Sequence, residues 1–226
     1  MKPKQSRNLL LASACLLAFL NGLVLLYVFT GWAPVLGNLI SAAQLRSYTA
    51  QVYPELVPGH YWAAYDLKNG GYGLDFSLKN GGGHRYLTYD SRSGTVQDER
   101  RETVLRMRLG IAKSPEVNGN MASWGAQWSP RDPETPLVSL GIRLRDKKDV
   151  PVPDEAAMRE IMADRAMELY AALSPRTPVH TISVQYGHDA VQKNEYETLH
   201  YLITVELPED TPLTREMILS GKLKTR

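Results

Sequence analysis

Cysteine is almost absent from this chain, since its 226 residues include only one, Cys15. That cysteine lies inside an apolar run, so the rest of the chain can form no disulfide and must be held together by its hydrophobic core. The residues from Ala12 to Cys15 distantly resemble a lipobox, but Ala12 stands where that pattern prefers leucine and the apolar run continues beyond the cysteine. We therefore interpret Cys15 as a buried membrane thiol.

The chain also lacks the sequence motifs of the common enzyme classes. It has no G-x-S-x-G nucleophile elbow, no H-E-x-x-H zinc motif and no cysteine outside the apolar run that could act with a histidine. His180, His188 and His200 fall on two predicted neighbouring strands, which leaves a metal site open as an alternative to ordinary surface histidines. We expect no catalytic residue, no cofactor and no bound metal.

The part of the chain that follows the apolar run also has no surplus of basic residues. All 24 acidic residues follow Gly37, as do 23 basic residues (26 minus Lys2, Lys4 and Arg7), so this part has a formal charge of 23 minus 24, or −1. A nucleic-acid-binding domain would need a basic face. We therefore expect no nucleic-acid partner.

What the sequence does contain is an uncharged apolar run of 21 residues from Leu9 to Phe29. As a helix, this run would be about 31 Å long, close to the thickness of the hydrocarbon core of a bilayer. A cleaved secretory signal and a buried core helix are the alternatives, but the apolar region of a signal is usually shorter and the length of this run favours a membrane span. The basic residues before the run are typical of the cytoplasmic side. We predict a cytoplasmic tail at residues 1–8 and a transmembrane helix at 9–32, with membrane lipid as its partner and the rest of the chain extracytoplasmic.

Residues 37–112 are predicted to form a first α+β unit. Asn38 is placed to cap a helix at its start. Further on, large apolar residues alternate with small or polar ones from Tyr72 to Leu78, and glycine-rich turns flank them, which predicts an antiparallel meander. Val104, Met107 and Ile111 then predict a short helix with one apolar stripe.

Residues 113–136 are rich in proline and glycine and are predicted to be a connector. Trp124 and Trp128 within it form the candidate interaction surface, because tryptophan is enriched where proteins bind partners and long loops often carry function. The alternative is that these two side chains cover a small core.

Residues 137–226 are predicted to form a second α+β unit. A strand from Leu137 to Arg145 is followed by Asp154, which is placed to cap a helix, and then by strands from Val179 to Tyr186 and from Tyr196 to Val205. The predicted fold class is therefore α+β, with an N-terminal single transmembrane helix followed by two small units of a helix packed on an antiparallel sheet.

Four features support a resemblance to a known family: the apolar run leading into Leu39 to Pro54, the Tyr53-Pro54-Glu55-Leu56 ending, the Gly-Gly-Tyr72 hairpin and the strand from Tyr196 to Val205. In these features, which cover most of the chain, it resembles the YfjL-like family of small bacterial membrane-anchored proteins. The resemblance implies an architecture but no activity, cofactor or catalytic residue. A looser similarity to PepSY-type and cystatin-like modules implies regulation of a protein or peptide.

These observations predict a single-pass protein of the cell membrane whose extracytoplasmic α+β domain is a non-catalytic binding or interaction module. Its expected partner is an envelope or membrane protein. Two alternatives remain, a PepSY-like modulator of a peptidase or envelope partner, and an envelope hydrolase with a site between the two units. A deep pocket holding two or more strongly perturbed titratable groups would favour the hydrolase.

Overall fold

The protein is described by a computed structural model that covers residues 3–30, 32–68, 70–112, 114–117, 120–145, 153–192, 195–208 and 211–225. Its helices are α1 (Pro3–Thr30), α2 (Leu36–Val52), α3 (Glu99–Leu109), α4 (Glu155–Leu173) and α5 (Arg215–Leu219). Its strands are β1 (Leu56–Pro58), β2 (Ala64–Asp66), β3 (Gly71–Leu78), β4 (His84–Asp90), β5 (Thr95–Gln97), β6 (Glu116–Val117), β7 (Asn120–Trp128), β8 (Pro136–Arg145), β9 (Thr181–Gln192), β10 (Glu195–Glu206) and β11 (Lys224–Thr225). The fold is α+β, as predicted.

The chain divides into two compact units whose boundaries differ from the predicted ones. The first unit consists of Met1–Asp98 and Trp128–Thr135, and the second unit consists of Glu99–Gln127 and Pro136–Arg226. The predicted connector at 113–136 is therefore shared between the two units.

The first unit is a helix packed on an antiparallel sheet. β3 pairs with β4 along its length, while β1 and β2 pair with opposite ends of its other edge, and β5 continues the sheet beyond β4. Tyr72, Leu74 and Phe76 of β3 are buried, as their alternation predicts, and α2 packs on β3 and β4. Leu45 and Tyr48 of α2 complete this part of the core.

The second unit has a mixed sheet. β9 pairs with β10 and β10 with β11 in antiparallel register, but β8 pairs with β9 in parallel register from Ser139–Thr181 to Arg145–Gly187. The purely antiparallel sheet predicted for this unit is therefore wrong. The reason is that α4 connects β8 to β9, and a helical crossover returns the chain in the same direction.

Helix α4 begins where the sequence predicts. The Asp154 side chain accepts a hydrogen bond from the backbone N–H of Ala157, at 2.7 Å from Oδ1, so Asp154 is the N-cap. Such a cap contributes about 1 kcal/mol to helix stability. Met158, Met162 and Leu169 on one face of the helix are buried.

Two other local predictions differ from the structure. Much of the predicted connector is strand β7, in which Ala122, Trp124 and Ala126 are buried and alternate with more exposed residues. Helix α3 does form, but no residue in it is buried, and Val104 and Met107 are more than half exposed. Two residues of the predicted stripe are therefore on the surface, while Ile111, which follows the helix, is buried.

Helix α1 contains the apolar run of the sequence, and its side chains are described from Leu11 to Tyr27. No helix in the described residues is long and apolar enough to cross a membrane.

Candidate functional site

A cavity of about 500 Å³ lies in the first unit, between the start of α2 and the loop that joins β1 to β2. This volume is within the range of about 300–1,000 Å³ that is usual for small-molecule sites. The cavity is lined by Val35, Asn38, His60, Tyr61, Trp62, Ala63 and Ala64.

Asn38 holds the loop against α2. Its side-chain Nδ2 donates to the carbonyl oxygen of Ala63 at 2.7 Å, and the Ala63 backbone N–H donates back to the Asn38 carbonyl oxygen at 3.3 Å. The prediction that Asn38 is the N-cap of α2 is wrong, because Val35 occupies that position with φ of 64° and no side-chain cap. A positive φ is unusual for a β-branched residue, so the entry to α2 is strained.

Arg46 fixes the other end of the loop. Its Nη2 donates to the backbone carbonyl oxygens of His60, at 3.3 Å, and Tyr61. Its guanidinium carbon lies 5.0 Å from the centroid of the Tyr61 ring, which is a cation–π geometry. The Nε of Arg46 is buried and has no hydrogen-bond partner within the described part of the chain.

The loop exposes its aromatic side chains although its backbone is fixed. Tyr61 is 75% exposed and Trp62 is 57% exposed. Val35, Leu36 and Ile40 at the start of α2 are also more than half exposed. We call these five residues the apolar patch, and together with the cavity they offer an apolar surface suited to binding rather than a pair of catalytic groups.

The link between α1 and α2 is attached to the sheet by aromatic contacts. The Ala33 backbone N–H donates to the Tyr72 hydroxyl at 2.8 Å. The Trp32 ring stacks on Tyr65 with centroids 6.1 Å apart, and Tyr65 meets Tyr72 edge to face at 4.7 Å. Gly37 is required beside them, because a Cβ there would overlap the Tyr72 hydroxyl.

Burial raises the pKa of the Tyr72 phenol above its ordinary value of 10.0. In the unfolded chain this phenol ionises near its ordinary value, so at higher pH the folded state holds a proton that the unfolded state has released. The contribution of this phenol to the free energy of unfolding is therefore fully present below pH 10.0 and is lost as the pH rises through the folded pKa. We expect Tyr72→Phe to unfold with a shallower dependence on pH in this range, measured by urea titrations at several pH values. An unchanged slope would contradict this assignment.

A second polar cluster surrounds Asp98 in the same unit. The Asp98 carboxyl is 2% exposed, and its Oδ2 accepts hydrogen bonds from the hydroxyls of Tyr53, at 2.7 Å, and Tyr48, at 3.2 Å. The Arg85 guanidinium carbon lies 4.0 Å from the Tyr53 ring centroid. None of these four residues lines the cavity. Their hydrogen bonds and stacking join α2 to the end of β5, which is a structural role.

The candidate surface residues from the sequence are placed in the interior. Trp124 is 5% exposed and Trp128 is 1% exposed, and both lie on β7. The backbone of Trp128 pairs with Val96 of β5. These positions agree with the alternative of core packing, and they leave very little exposed surface at either tryptophan.

Of the three histidines considered as metal ligands, only the side chain of His180 is among the described ones. His180 Nδ1 accepts a hydrogen bond from the Val138 backbone N–H at 3.1 Å, while the side chains of His188 and His200 lie outside the described residues. Across the described ranges, no group of three or more potential ligands could hold a metal ion.

Sequence reasoning missed the cavity itself. Strand β2 starts only at Ala64, so Tyr61 and Trp62 lie in the loop before it. Three large side chains in a row after Gly59, without alternation, were the available signal of an exposed loop.

No family model, no curated protein and no solved structure matches this chain. The fold and the cavity therefore define an α+β protein with a candidate binding site.

Proposed function

We propose that this chain is a single-pass protein of the cell membrane whose folded part is extracytoplasmic and acts by non-catalytic binding. The finer architecture that we propose is an N-terminal transmembrane helix followed by two small units, each with a helix on a sheet. The observation that carries the proposal is the exposure of the apolar side chains of α1 around the helix.

A helix on the surface of a soluble domain normally has one polar face and one apolar face. The described side chains of α1 are apolar or uncharged, and all are exposed except Leu23 and Leu26, which are half-buried. A helix that is apolar on all sides is stable in lipid or in a protein core. The sequence run from Leu9 to Phe29 extends the described Leu11–Tyr27 segment by two residues at each end. Its 21 residues match the length of about 20 that a bilayer requires.

Orientation follows from the charges beside the run. Lys2, Lys4 and Arg7 precede it, whereas the next charged residue is Arg46. Lysine and arginine near a span are retained in the cytoplasm, so the amino terminus is placed inside and the folded units outside.

Binding at the cavity is favoured over catalysis by the character of its lining. The phenols whose pKa values are raised by burial, Tyr72, Tyr86 and Tyr89, are not among the lining residues. The lining instead combines apolar and aromatic groups with the amide of Asn38, a composition typical of sites that orient a ligand. A PepSY-like modulator would be one form of such a module, and the helix α2 packed on an antiparallel sheet favours it as the second candidate.

In-cell photo-crosslinking tests the binding site. A photoreactive amino acid replaces Trp62 in the full-length chain, and Lys79, which is exposed at the end of β3 in the same unit, carries it in the matched control. We expect a discrete crosslinked product from position 62, of protein or lipid, that is missing from position 79. Equal products at the two positions, or none at position 62, would contradict binding at the cavity. A captured peptidase would support the PepSY-like alternative.

A further inference from the structure

We propose that the apolar patch rests in the interfacial layer of the lipid bilayer as a second membrane contact, beside the anchor helix. The partner at the candidate site is then phospholipid. This inference rests on the proposed function, because it requires α1 to lie in the membrane.

The patch is close to the end of α1 along the chain. Only five residues separate Thr30, the last residue of α1, from Leu36, the first residue of α2. Six backbone steps can span at most about 21 Å. The hydrogen bond between Ala33 and Tyr72 keeps this link on the first unit. The start of α2 therefore cannot move far from the point where α1 ends.

The side chains of the patch match the chemistry of the membrane interface. Tyrosine and tryptophan are enriched at the headgroup level, where an amphipathic ring contacts both apolar chains and water. Tyr61 and Trp62 are exposed in this way, and Leu36 and Ile40 are one helical turn apart on the same side of α2. Exposed apolar side chains of this kind are stabilised when they enter the boundary between headgroups and acyl chains.

The distribution of charged residues favours contact of the patch with lipid rather than with water. Between Asn8 and Pro54 the only charged residue is Arg46, and its guanidinium lies over the Tyr61 ring. The segment contains Val35, Leu36 and Ile40 of the patch and has no acidic residue that anionic lipid headgroups would repel, while the Arg46 cation is attracted to such headgroups. A second copy of the chain or a protein partner could also cover an apolar surface, but neither accounts for the continuity of the patch with α1.

Depth-dependent quenching in vesicles tests the inference on the full-length protein. A fluorophore is attached either to native Cys15, which is exposed on α1, or to a single cysteine at Ile40, Tyr61 or Lys79 in a Cys15→Ser background. The labelled proteins are reconstituted into vesicles of phosphatidylcholine and phosphatidylglycerol. Some of the lipids carry a nitroxide quencher, either on the headgroup or in the middle of the acyl chain.

Lys79 is the matched control, because it is exposed and follows the end of β3 that is distant from Tyr72. The strand from Tyr72 to Leu78 extends about 20 Å. We expect the headgroup nitroxide to quench Ile40→Cys and Tyr61→Cys at least about twofold more than Lys79→Cys, since interfacial groups lie about 5–10 Å deep. Cys15 should be quenched most strongly by the acyl-chain nitroxide.

The outcomes separate this inference from the proposed function. If Cys15 is quenched but Ile40→Cys and Tyr61→Cys are quenched no more than Lys79→Cys, the second contact is overturned and the anchor is retained. If Cys15 is not quenched by the acyl-chain nitroxide, the anchor fails and the inference fails with it. A protein crosslinked at position 62, together with weak quenching at positions 40 and 61, would also overturn lipid as the partner while leaving a binding module.

Discussion

Replacing Trp128 by alanine is expected to lower the free energy of unfolding by about 3–5 kcal/mol. The side chain is 1% exposed and is the largest fully buried one in the described residues. It lies at the end of β7, where its backbone pairs with Val96, so the lost volume falls where β5 meets this strand. The measurement is equilibrium unfolding of the full-length protein in detergent, followed by circular dichroism.

Trp62→Ala is the matched control for Trp128→Ala, because it removes the same side chain from an exposed position in the first unit. We expect its effect on unfolding in detergent to stay within about 0.5 kcal/mol. A loss at Trp62 as large as the loss at Trp128 would show that the assigned burial of the two side chains is incorrect.

Replacing Asp98 by alanine is expected to lower the free energy of unfolding by about 2–3 kcal/mol. The substitution removes the oxygen that accepts hydrogen bonds from Tyr48 and Tyr53. Both tyrosines are on or directly after α2, and Asp98 follows β5, so the cluster fixes the helix to the sheet. The substitution also removes the cost of burying a carboxyl. The loss of the hydrogen bonds outweighs this gain, because the Tyr48 phenol stays in the core without its acceptor at Asp98.

Asp75→Ala is the control for Asp98→Ala, since Asp75 is an exposed aspartate on β3 of the same unit. It should change stability by less than about 0.5 kcal/mol. Tyr53→Phe removes the hydrogen bond from Tyr53 but keeps that from Tyr48, so its loss of stability should lie between those of the two aspartate variants. Equal stability of Asp98→Ala and Asp75→Ala would contradict a structural role for the cluster.

Local features of this fold can be predicted from the sequence because they depend on neighbouring residues. The alternation from Tyr72 to Phe76 predicts the buried face of β3, and Asp154 predicts the start of α4. Gly70, with φ of 69°, precedes β3 in the turn where a glycine-rich hairpin was predicted. In each case the signal lies within a few residues of the structure that it predicts.

Other features depend on residues distant in sequence. Strand β7 was missed because flanking prolines and glycines are typical of loops, although its buried residues alternate with more exposed ones. The parallel pairing of β8 with β9 depends on which strand edge the chain reaches after α4.

The candidate site depends on distant contacts in the same way. The Asn38 side chain contacts Ala63, 25 residues away, and Arg46 contacts Tyr61, 15 residues away. Patterns of neighbouring residues in the sequence do not predict contacts between residues so far apart. The residues of the cavity could therefore be identified only once the chain was folded.

We propose that α1 anchors the chain in a membrane with its folded units outside, and the most direct test of this topology is thiol labelling in intact cells. A membrane-impermeant maleimide is applied to cells that express the full-length chain, with either native Cys15 or the Lys79→Cys variant in a Cys15→Ser background. We predict that Lys79→Cys is labelled in intact cells, and that Cys15 is labelled only after detergent is added. Labelling of Cys15 in intact cells, or of Lys79→Cys only after lysis, would contradict this topology.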